Sequence, residues 1–560
     1  LGFIFTIGYH LYHLQISQSQ YYLNEASKNQ SHFEAIENHR GTIFDRNGIP
    51  LAGYKQITQI EVPDLKTLTD LAIKLNAPSF IQKKTKPPYL IRHLTTAQIQ
   101  KFYELQDQFP SVKATQKSTR YYYEDDVFSN IIGFIKERDD QSNLLQSIKI
   151  GAIGVEKTYD SILTAQPTIK TYQVNAMGDK QQVIKTQKGQ AGQNITLTID
   201  ARLQKKAYEL LKPYKAAMVA INPQNGEILT MVSTPSYSSN AVIGASNQVA
   251  ASNHSESQLN RATNGLYSPG SVIKPFISAL ALQNKIIDTS YEVEDPGYYK
   301  VGESVYHDWY KKGRGRVTFR QAIAESCDTY FYHLAEKLGI DHIQQALDSF
   351  YYGRIIVRDF SDAASGIVPS KEWKMRTKGE KWYLGDTIIT GIGQGPTLVT
   401  PLQLAFSTAL IGNFGVSFEP HLMLSMKSHK GEIIHTEKEE IRLDEYDDEV
   451  YEQITDAMVA VVSSDYKIRT GRYLNNKKMD LAAKTGTAQR ISLENARQSD
   501  KHDLQDNALI VGFTPTVKPQ LAFAIVIENE PGKATRVAKA WLELYAKYYP
   551  VKNEISETNA

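Results

Sequence analysis

Apolar positions become dense and regularly spaced after residue 194, where the pattern predicts a strand followed by a helix. Residues 194–200 form the predicted strand, and its last residue, Asp200, is of a type that caps helices. The apolar positions of the helix fall at helical spacing; they are Leu203, Ala207, Leu210 and Leu211. The next apolar runs, 217–221 and 228–233, flank an Asn-Gly turn and predict an antiparallel hairpin of a central sheet.

Two further apolar runs near the C-terminus, 508–513 and 521–527, predict two more strands, and a helix follows them. One face of that helix carries Val537, Ala538, Trp541, Leu542 and Tyr545. Strands at both ends of the region, with many helical segments between them, predict an α+β fold. We expect an antiparallel sheet covered by helices, with an all-helical part inserted, and no doubly wound parallel sheet.

The N-terminal third has a different pattern. Residues 17–190 are polar and rich in tyrosine, with short alternating segments and no dense apolar core, so they predict an extended, mainly-β pedestal module. Within it, Asn47-Gly48 between two short apolar runs predicts a hairpin. The globular region then covers residues 191–550, and residues 551–560 form a polar tail.

The first 16 residues are apolar and aromatic, and the chain begins with Leu rather than Met. A membrane-spanning helix needs about 20 apolar residues, and the aromatic and histidine residues are typical of a membrane-water interface. We interpret residues 1–16 as the remnant of an N-terminal transmembrane anchor. A buried N-terminal helix of a soluble protein is the alternative. A cleaved signal peptide fits less well, because no small-residue cleavage site follows; residues 17–38 are instead polar and favour helix.

Composition and charge narrow the possible partners. The chain has 560 residues, too many for a single core, and its formal net charge is only +2. The sequence has no stripe of basic residues interleaved with aromatic residues, and this argues against nucleic acid as a partner. The single cysteine, Cys327, excludes an internal disulfide and is interpreted as a small buried packing residue.

The first candidate chemical motif is Ser271-x-x-Lys274, which follows a Ser-Pro-Gly turn and precedes an apolar helical stretch. Spacing i to i+3 places both side chains on one helix face. A serine hydroxyl needs a base within hydrogen-bond reach, and an amine whose pKa is lowered by burial can supply it. A helix N-terminus also favours a developing oxyanion. Taken alone, the motif is more simply a helix cap followed by a solvated lysine.

Two further motifs follow in order. Ser326 and Asp328 lie between two helical stretches, where a short loop can aim one side chain to relay a proton and the other to hold substrate amides. Taken alone, they indicate a helix cap. Lys484-Thr-Gly-Thr487 predicts a strand opposite the serine: the lysine would bind a carboxylate, Gly486 would allow close approach of a substrate backbone, and the Thr487 N–H would complete an oxyanion hole with that of Ser271. Taken alone, this is a surface strand.

The order and surroundings of the three motifs resemble those of class B penicillin-binding proteins, and the resemblance runs nearly end to end. The segments that carry it are 267–275, 391–395 with 400–403, 484–489, and 40–48 in the pedestal. Three further segments, 295–297, 307–309 and 326–332, look like penicillin-binding protein 2, the elongation type, more than the division type.

The resemblance implies a peptidoglycan D,D-transpeptidase. Ser271 would attack the penultimate D-Ala carbonyl of a stem peptide, expel the terminal D-Ala, and pass the acyl group to an amine of a neighbouring stem. Lys274 would be the general base and Ser326 the proton relay, with Lys484 as the third catalytic partner. Lys484 and Thr485 would hold the terminal carboxylate, and β-lactams would acylate the serine as substrate mimics.

Two departures from the family pattern matter. The middle motif ends in Asp328 where most of the superfamily has Asn, although the elongation type resembles this chain in having Asp there; we keep it as a substrate-binding residue. Some elongation-type members also bind zinc through two Asp, one His and one Cys. Asp295, Asp308 and Cys327 match three of these, but Arg314 stands at the His position and cannot ligate. The adjacent His307 could replace the missing histidine ligand only from a position outside the family pattern, so we predict no metal and no cofactor.

Several alternatives stay open. A division-type transpeptidase is one, and a serine β-lactamase shares the first and third motifs but would need no pedestal. A membrane-anchored penicillin sensor would be acylated without transferring anything. The elongation resemblance implies a membrane-embedded glycosyltransferase partner, a single-pass location in the cell inner membrane, and a catalytic domain in the periplasm.

Overall fold

The computed structural model describes residues 2–20, 31–77, 87–91, 94–137, 149–175, 177, 179–244, 255–476, 479–488 and 505–550. The predicted polar tail, 551–560, lies outside these residues. At the N-terminus, α1 (Gly2–Tyr12) continues into a π-helical turn, His13–Ser17, and its apolar side chains are exposed. Within the described residues, every helix is too short or too polar to cross a membrane.

The pedestal is mainly β, as its alternating segments predicted. Its strands are β1 (Ser31–Ile36), β2 (Ile43–Phe44), β3 (Pro50–Val62), β4 (Tyr89–Ile91), β5 (Lys113–Tyr122), β6 (Ile135–Glu137), β7 (Lys149–Gly151), β8 (Thr168–Val174) and β9 (Lys180–Gln187). Its helices are α2 (Leu65–Lys74), α3 (Thr96–Glu104), α4 (Asp125–Ile132), α5 (Gly154–Thr158) and α6 (Asp160–Leu163), with a 3-10 turn at Gln106–Gln108.

The predicted hairpin around Asn47-Gly48 is confirmed, because β2 pairs with β3 antiparallel. Gly48 has a φ of 82°, which favours glycine. Asp45 closes the turn: its Oδ1 accepts the N–H groups of Asn47 at 2.9 Å and Ile49 at 2.7 Å. Its Oδ2 accepts the Ala201 N–H at 3.1 Å, so the same carboxylate ties the hairpin to the start of a helix in the globular region.

The pedestal also has an apolar core that its composition did not indicate. Side chains of β3, β4, α2 and α3 form a small buried cluster, with Leu71 and Phe102 fully buried. Composition also favoured helix up to residue 38, whereas residues 31–36 form β1, whose partner is β8. Pairing with a distant strand outweighs local propensity there.

The globular region contains the remaining elements. Its strands are β10 (Asn194–Leu197), β11 (Ala216–Ile221), β12 (Ile228–Thr234), β13 (Glu292–Asp295), β14 (Tyr298–Val301), β15 (Ser304–His307), β16 (Gly315–Thr318), β17 (Val416–Phe418), β18 (Met423–Lys427), β19 (Ile433–His435), β20 (Glu440–Arg442), β21 (Ala482–Ala488), β22 (Asn507–Thr514) and β23 (Leu521–Ile527).

Its helices are α7 (Ala201–Leu211), α8 (Ser239–Gly244), α9 (Ser255–Gln258), α10 (Lys274–Gln283), α11 (Phe319–Ala324), α12 (Asp328–Ser349), α13 (Lys371–Lys378), α14 (Leu384–Thr390), α15 (Pro401–Gly412), α16 (Asp448–Ser463) and α17 (Lys533–Tyr548), with 3-10 turns at Gly270–Ile273 and Arg472–Leu474. Gly339 interrupts the helical backbone within α12.

The central sheet of this region has the order β12-β11-β23-β22-β21 among the described strands, and every neighbouring pair is antiparallel. Strands β11, β12, β22 and β23 are buried throughout, because helices cover both faces. On one face α7 and α17 pack together, and Trp541 Nε1 donates to Leu203 O at 3.0 Å. The α+β prediction is confirmed, and β21 is left at the sheet edge.

A second sheet joins the pedestal to the globular region. Strand β10 pairs with β18 antiparallel and with β2 parallel, so one sheet contains strands from both sides of the predicted boundary at residues 190 and 191. The largest apolar cluster likewise contains Ile43 and Val155 from the pedestal together with the core around α10.

A buried ion cluster stabilises the base of the pedestal. Glu156, fully buried, accepts from Arg40 Nε at 2.6 Å and from Arg120 Nε at 2.8 Å, and both arginine side chains are buried. Burial, the largest single cause, would lower the pKa of Arg120, but the charge and hydrogen bond of Glu156, together with Tyr122 and Tyr54, raise that pKa overall. Arg40 also pairs with Asp160 at 2.7 Å, so Arg120 is the guanidinium group that depends on Glu156 alone.

We expect Glu156→Gln to lower the free energy of unfolding by about 3–5 kcal/mol, because it leaves the buried guanidinium group of Arg120 without its counter-charge. Urea unfolding followed by circular dichroism measures the change. Glu104→Gln, at an exposed pedestal position, is the matched control and should stay near the wild type. A Glu156→Gln value within about 0.5 kcal/mol of the control would contradict the assigned role of this cluster.

Candidate functional site

Ser271 lies in the 3-10 turn that leads directly into α10, as the sequence predicted. The preceding Gly270 has a φ of 54°, and its N–H donates to Gly393 O at 2.9 Å. A side chain at Gly270 would place its Cβ 2.4 Å from Thr487 O, so the backbone of β21 lies against this turn. Glycine therefore lets the serine turn and the third motif approach each other.

Lys274 is the first residue of α10 and is fully buried. Its Nζ donates to Asp328 Oδ1 at 2.7 Å, to Ser326 O at 3.1 Å and to Ser326 Oγ at 3.3 Å. The ring centroid of Phe331 lies 5.0 Å from the same Nζ. The first and second motifs thus meet through one ammonium group.

Ser326 is in the short loop between α11 and α12, where the sequence placed it. Its φ is 56°, which is uncommon for a residue with a side chain. The hydroxyl receives a second ammonium group, because Lys484 Nζ donates to Ser326 Oγ at 2.9 Å. With both lone pairs of the oxygen facing donors, the Ser326 proton is free to point toward a substrate.

The third motif occupies β21, the edge of the central sheet. Lys484 is buried, and its Nζ also donates to Thr485 O at 2.8 Å. A Cβ on Gly486 would lie 2.9 Å from Val272 Cγ1 and 3.1 Å from Pro269 O, so this glycine admits the serine turn of the protein itself. Thr487 is exposed, and its carbonyl accepts from Gln394 Nε2 at 3.1 Å.

The amine whose pKa is clearly lowered is that of Lys484. Burial is the largest cause, the positive charge of Lys274 adds to it, and the carboxylate of Asp328 opposes it. Lys484 therefore holds its proton less firmly than an exposed lysine would.

Asp328 is engaged through both carboxylate oxygens. Oδ1 accepts from Lys274, and Oδ2 accepts from the Trp309 N–H at 3.3 Å. Both partners are donors, so a group that only accepts suits the position better than an amide, which presents a donor on one side. This accounts for Asp where most of the superfamily has Asn, and it favours a counter-ion role over the predicted contact with substrate amides.

The structure therefore brings Lys274, Ser326, Asp328 and Lys484 into direct contact. Thr485, Gly486 and Thr487 extend along the strand edge beside the turn that carries Ser271. The Ser271 hydroxyl makes no side-chain hydrogen bond to any residue that the structure describes, and in an unliganded serine site such bonds often form only with substrate. The individual catalytic roles remain predictions.

Sequence reasoning missed two residues that complete the site. Thr470 Oγ1 accepts from Thr485 Oγ1 at 2.6 Å, yet Thr470 lies in a loop without a motif. Trp309 entered only through the family resemblance, but its Nε1 donates to Ser326 O at 3.1 Å and to Glu325 O at 3.2 Å. A tryptophan, which joins a large apolar ring to an N–H donor, was the available signal for the second residue.

Two family models match this chain. Residues 216–543 match the penicillin binding protein transpeptidase domain, and residues 35–197 match the penicillin-binding protein dimerisation domain. The two matches together cover the central sheet, all three motifs and most of the pedestal.

Curated relatives align along almost the whole chain. The peptidoglycan D,D-transpeptidase MrdA of Acinetobacter baumannii is 32% identical over 588 residues, which covers 98% of this chain and 86% of the relative. The protein of the same name from Escherichia coli K12 is 31% identical over 570 residues, covering 94% of this chain and 90% of the relative.

Solved structures share the fold. Helicobacter pylori PBP2, solved in a complex with MreC, has a TM-score of 0.72 and 26% identity, covering 93% of this chain and 99% of that one. Pseudomonas aeruginosa PBP2 in complex with WCK 5153 has a TM-score of 0.67 and 30% identity, covering 92% and 96%.

We expect Asp328→Asn to slow acylation by a fluorescent penicillin about tenfold or more. The change removes the charge that faces Lys274 and turns an amide N–H₂ toward one of two donors, and loss of a charged hydrogen bond costs about 1.5–3 kcal/mol. Asp341→Asn, an exposed position on the same helix, is the control. Stopped-flow fluorescence gives both rates, and equal rates for the two variants would contradict the counter-ion role.

The lowered pKa of Lys484 also predicts a pH-dependent stability. Below the folded-state pKa, the buried charge destabilises the protein fully; as pH rises from there toward the ordinary lysine value of 10.5, the unfolded chain binds more protons and stability increases. We therefore expect Lys484→Met to unfold at a higher temperature than the wild type at pH 7.

The gap between these two unfolding temperatures should narrow between pH 7 and pH 10. Thermal unfolding monitored by tryptophan fluorescence measures it, and Lys539→Met, at an exposed site, should show no such trend. A gap that is constant with pH would argue against a low pKa at Lys484.

Proposed function

The chain belongs to the penicillin-binding protein transpeptidases of the PBP2 type, and on that premise we propose that it is a peptidoglycan D,D-transpeptidase that cross-links stem peptides during cell-wall elongation. The resemblance indicated by the motifs is confirmed by these matches. One observation carries the proposal: Lys274 Nζ and Lys484 Nζ both contact Ser326 Oγ, next to the turn that holds Ser271.

The pair of amines provides the base. Ser326 Oγ lies between the two Nζ atoms, so a proton can pass from one amine to the other through the hydroxyl. A substrate carboxylate near Lys484 favours the charged form of that amine and raises its pKa. Lys274 then gives a proton through Ser326 to Lys484 and becomes the neutral amine beside the nucleophile when substrate binds.

Acylation follows from this arrangement. The Ser271 oxygen attacks the carbonyl carbon of the penultimate D-Ala while its proton passes to Lys274 Nζ. The oxyanion is held at the helix N-terminus by the N–H groups of Ser271 and Thr487. As the bond from carbonyl carbon to nitrogen breaks, the proton moves from Lys274 through Ser326 to the leaving D-Ala amine.

Transfer reverses these proton steps with a second amine. The amino group of a neighbouring stem attacks the acyl carbon, gives its proton to the same relay, and the Ser271 ester bond breaks. The stem lies along the β21 edge, where Lys484 and Thr485, with Thr470, bind the carboxylate. β-Lactams enter the same position and acylate Ser271.

The pedestal distinguishes this proposal from a serine β-lactamase. The dimerisation-domain match over residues 35–197, the shared sheet across β2 and β10, and the Asp45 contact to α7 join a second module to the catalytic region. A transpeptidase stays acylated by penicillin, whereas a β-lactamase releases penicilloate rapidly. A penicillin sensor would be acylated but would form no cross-links.

We place the protein in the cell inner membrane, single-pass, with its catalytic domain in the periplasm. The support is the apolar surface of α1 and the turn after it: Phe3, Ile4 and Phe5 are 74–79% exposed, as is expected of side chains that contact lipid. Residues 1–16 then belong to the anchor.

The proposed partner is a membrane-embedded glycosyltransferase of the elongation machinery. Exposed apolar side chains on the pedestal, including Ile73 on α2 and Tyr103 on α3, offer a surface for a protein partner. Helicobacter pylori PBP2 was solved in a complex with MreC, so a protein similar to this chain assembles with a protein partner.

The direct test is mass spectrometry of tryptic peptides after reaction with a labelled penicillin. We expect one adduct, on Ser271, that persists for many minutes, and none in Ser271→Ala. Ser290→Ala, at an exposed serine, should label as the wild type does. Adduct on another serine, unchanged labelling of Ser271→Ala, or rapid penicilloate release would each refute the mechanism.

The cross-linking activity itself needs a second assay. The protein, incubated with pentapeptide-containing glycan strands and a glycosyltransferase, should yield dimeric stem peptides, and Ser271→Ala should yield none. Acylation of Ser271 without dimers under these conditions would favour the sensor.

A further inference from the structure

A buried cluster beside the Ser326 loop has the side chains of a metal site. The ligand atoms of Asp295, Asp308 and Cys327 lie within 4.8 Å of one another, and all three residues are buried. Two carboxylates and a thiol are donor types that zinc takes, but a closed site requires a fourth ligand. His307 is exposed and does not belong to the cluster.

Arg314 occupies the space that an ion would need. Its Nη1 donates to Asp295 Oδ2 at 2.6 Å and to Asp308 Oδ1 at 3.0 Å, and its side chain is only 2% exposed. Its Nε lies 3.3 Å from Glu325 Oε2, and its Nη2 lies 3.4 Å from Glu325 O. A guanidinium group stays protonated, so the residues present do not fit a metal ion.

The backbone conformation on both sides of Arg314 holds this residue against Asp295. Gly313 and Gly315 have φ values of 69° and 73°, which favour glycine, and the Arg314 N–H donates to Asp295 O at 2.9 Å. A Cβ on Gly313 would lie 2.4 Å from the same Asp295 O. The rings of Trp309 and Tyr310 lie 5.3 Å and 5.2 Å from Arg314 Cζ, within cation–π range.

We propose that Arg314 is a positioning residue whose guanidinium group does the work of a metal ion, holding the Ser326 loop in its catalytic geometry. This inference rests on the proposed acylation of Ser271. The fixed cation joins Asp295 at the end of β13, Asp308 after β15 and Glu325 before α12. It therefore holds three segments that come from different parts of the chain.

Two short chains of contacts connect this cation to the reacting groups. Asp308 Oδ2 accepts the Thr329 N–H at 3.0 Å, which fixes the start of α12. Trp309, the next residue, donates its backbone N–H to Asp328 Oδ2 and its indole N–H to Ser326 O. Through these contacts the guanidinium supports both partners of Lys274, and it holds Ser326 at its unusual φ.

Cys327 serves as a neutral donor in this arrangement. Its Sγ lies 3.5 Å from Asp295 Oδ2, to which it donates. A protonated thiol is a hydrogen-bond donor, whereas zinc binds the thiolate.

Three forms of the full chain test the proposal: wild type, Arg314→Gln and Arg314→His. Arg316→Gln, next to the cluster with its side chain 81% exposed, is the matched control. Each is purified without chelator, its metal content is measured by mass spectrometry, and its acylation by a fluorescent penicillin is followed with EDTA and with added zinc.

We expect the wild type and the control to contain no stoichiometric metal and to acylate equally fast with EDTA or zinc. Arg314→Gln should acylate at least tenfold more slowly, with no response to zinc. Arg314→His, which supplies the missing ligand, should be slow in EDTA, bind one zinc ion, and regain most of its rate. If zinc restores the acylation rate of Arg314→His and leaves that of Arg314→Gln unchanged, the slow rates result from lost positioning of the Ser326 loop. A general loss of folding would not be reversed by zinc.

Stoichiometric zinc in the wild type, or a wild-type rate that falls in EDTA, would overturn the proposal even if neither variant folds. Wild-type acylation by Arg314→Gln would overturn it as well, and so would zinc binding to Arg314→His without recovery of the rate. Absence of acylation in the wild type would instead refute the proposed function.

Discussion

The site depends on one electrostatic constraint: two buried amines, those of Lys274 and Lys484, share the hydroxyl of Ser326, and one carboxylate lies against Lys274. Burial and the nearby charge of Lys274 make Lys484 hold its proton weakly. Asp328 offsets part of that effect, and Ser326 connects the two amines. A serine enzyme needs an amine that is neutral at the moment of attack, and this arrangement supplies one without deprotonating an exposed lysine.

The rest of the fold keeps these charges in place. Three separate elements supply them: the turn before α10, the loop before α12 and the edge strand β21. Gly270 and Gly486 allow the turn and the strand to approach within contact distance, because a Cβ at either position would collide with the other segment. The buried sheet behind β21 and the Arg314 cluster beside the loop make the geometry rigid, and rigidity is what preorganised catalysis requires.

Much of this could be predicted from sequence, because local spacing determines local structure. The helical spacing of Ser271 and Lys274, the loop between two helices at Ser326, and the alternating strand at Lys484 are all local features. Their mutual contact was inferred only from the order of the motifs and from the family resemblance. The Thr470 contact, the φ of Ser326 and the sheet shared across residues 190 and 191 depend on long-range packing, which leaves no local pattern.

The two lysines are a second case in which the sequence alone does not predict the site. Sequence reasoning assigned burial and a lowered pKa to the base of the first motif. In the structure Lys274 is buried, as predicted, with the carboxylate of Asp328 against it, and Lys484 is a second buried amine whose pKa is lowered. The distance from each amine to that carboxylate is set by long-range packing, and no motif encodes it.

The most direct measurement is NMR titration of the lysine Nζ groups in protein labelled with ¹⁵N-lysine, with Lys484→Met used to assign the resonance. The account predicts that Lys484 titrates well below the ordinary value of 10.5 in the free enzyme and moves upward when a carboxylate-containing penicillin acylates Ser271. A Lys484 resonance that titrates near 10.5, or one that does not move on acylation, would contradict it.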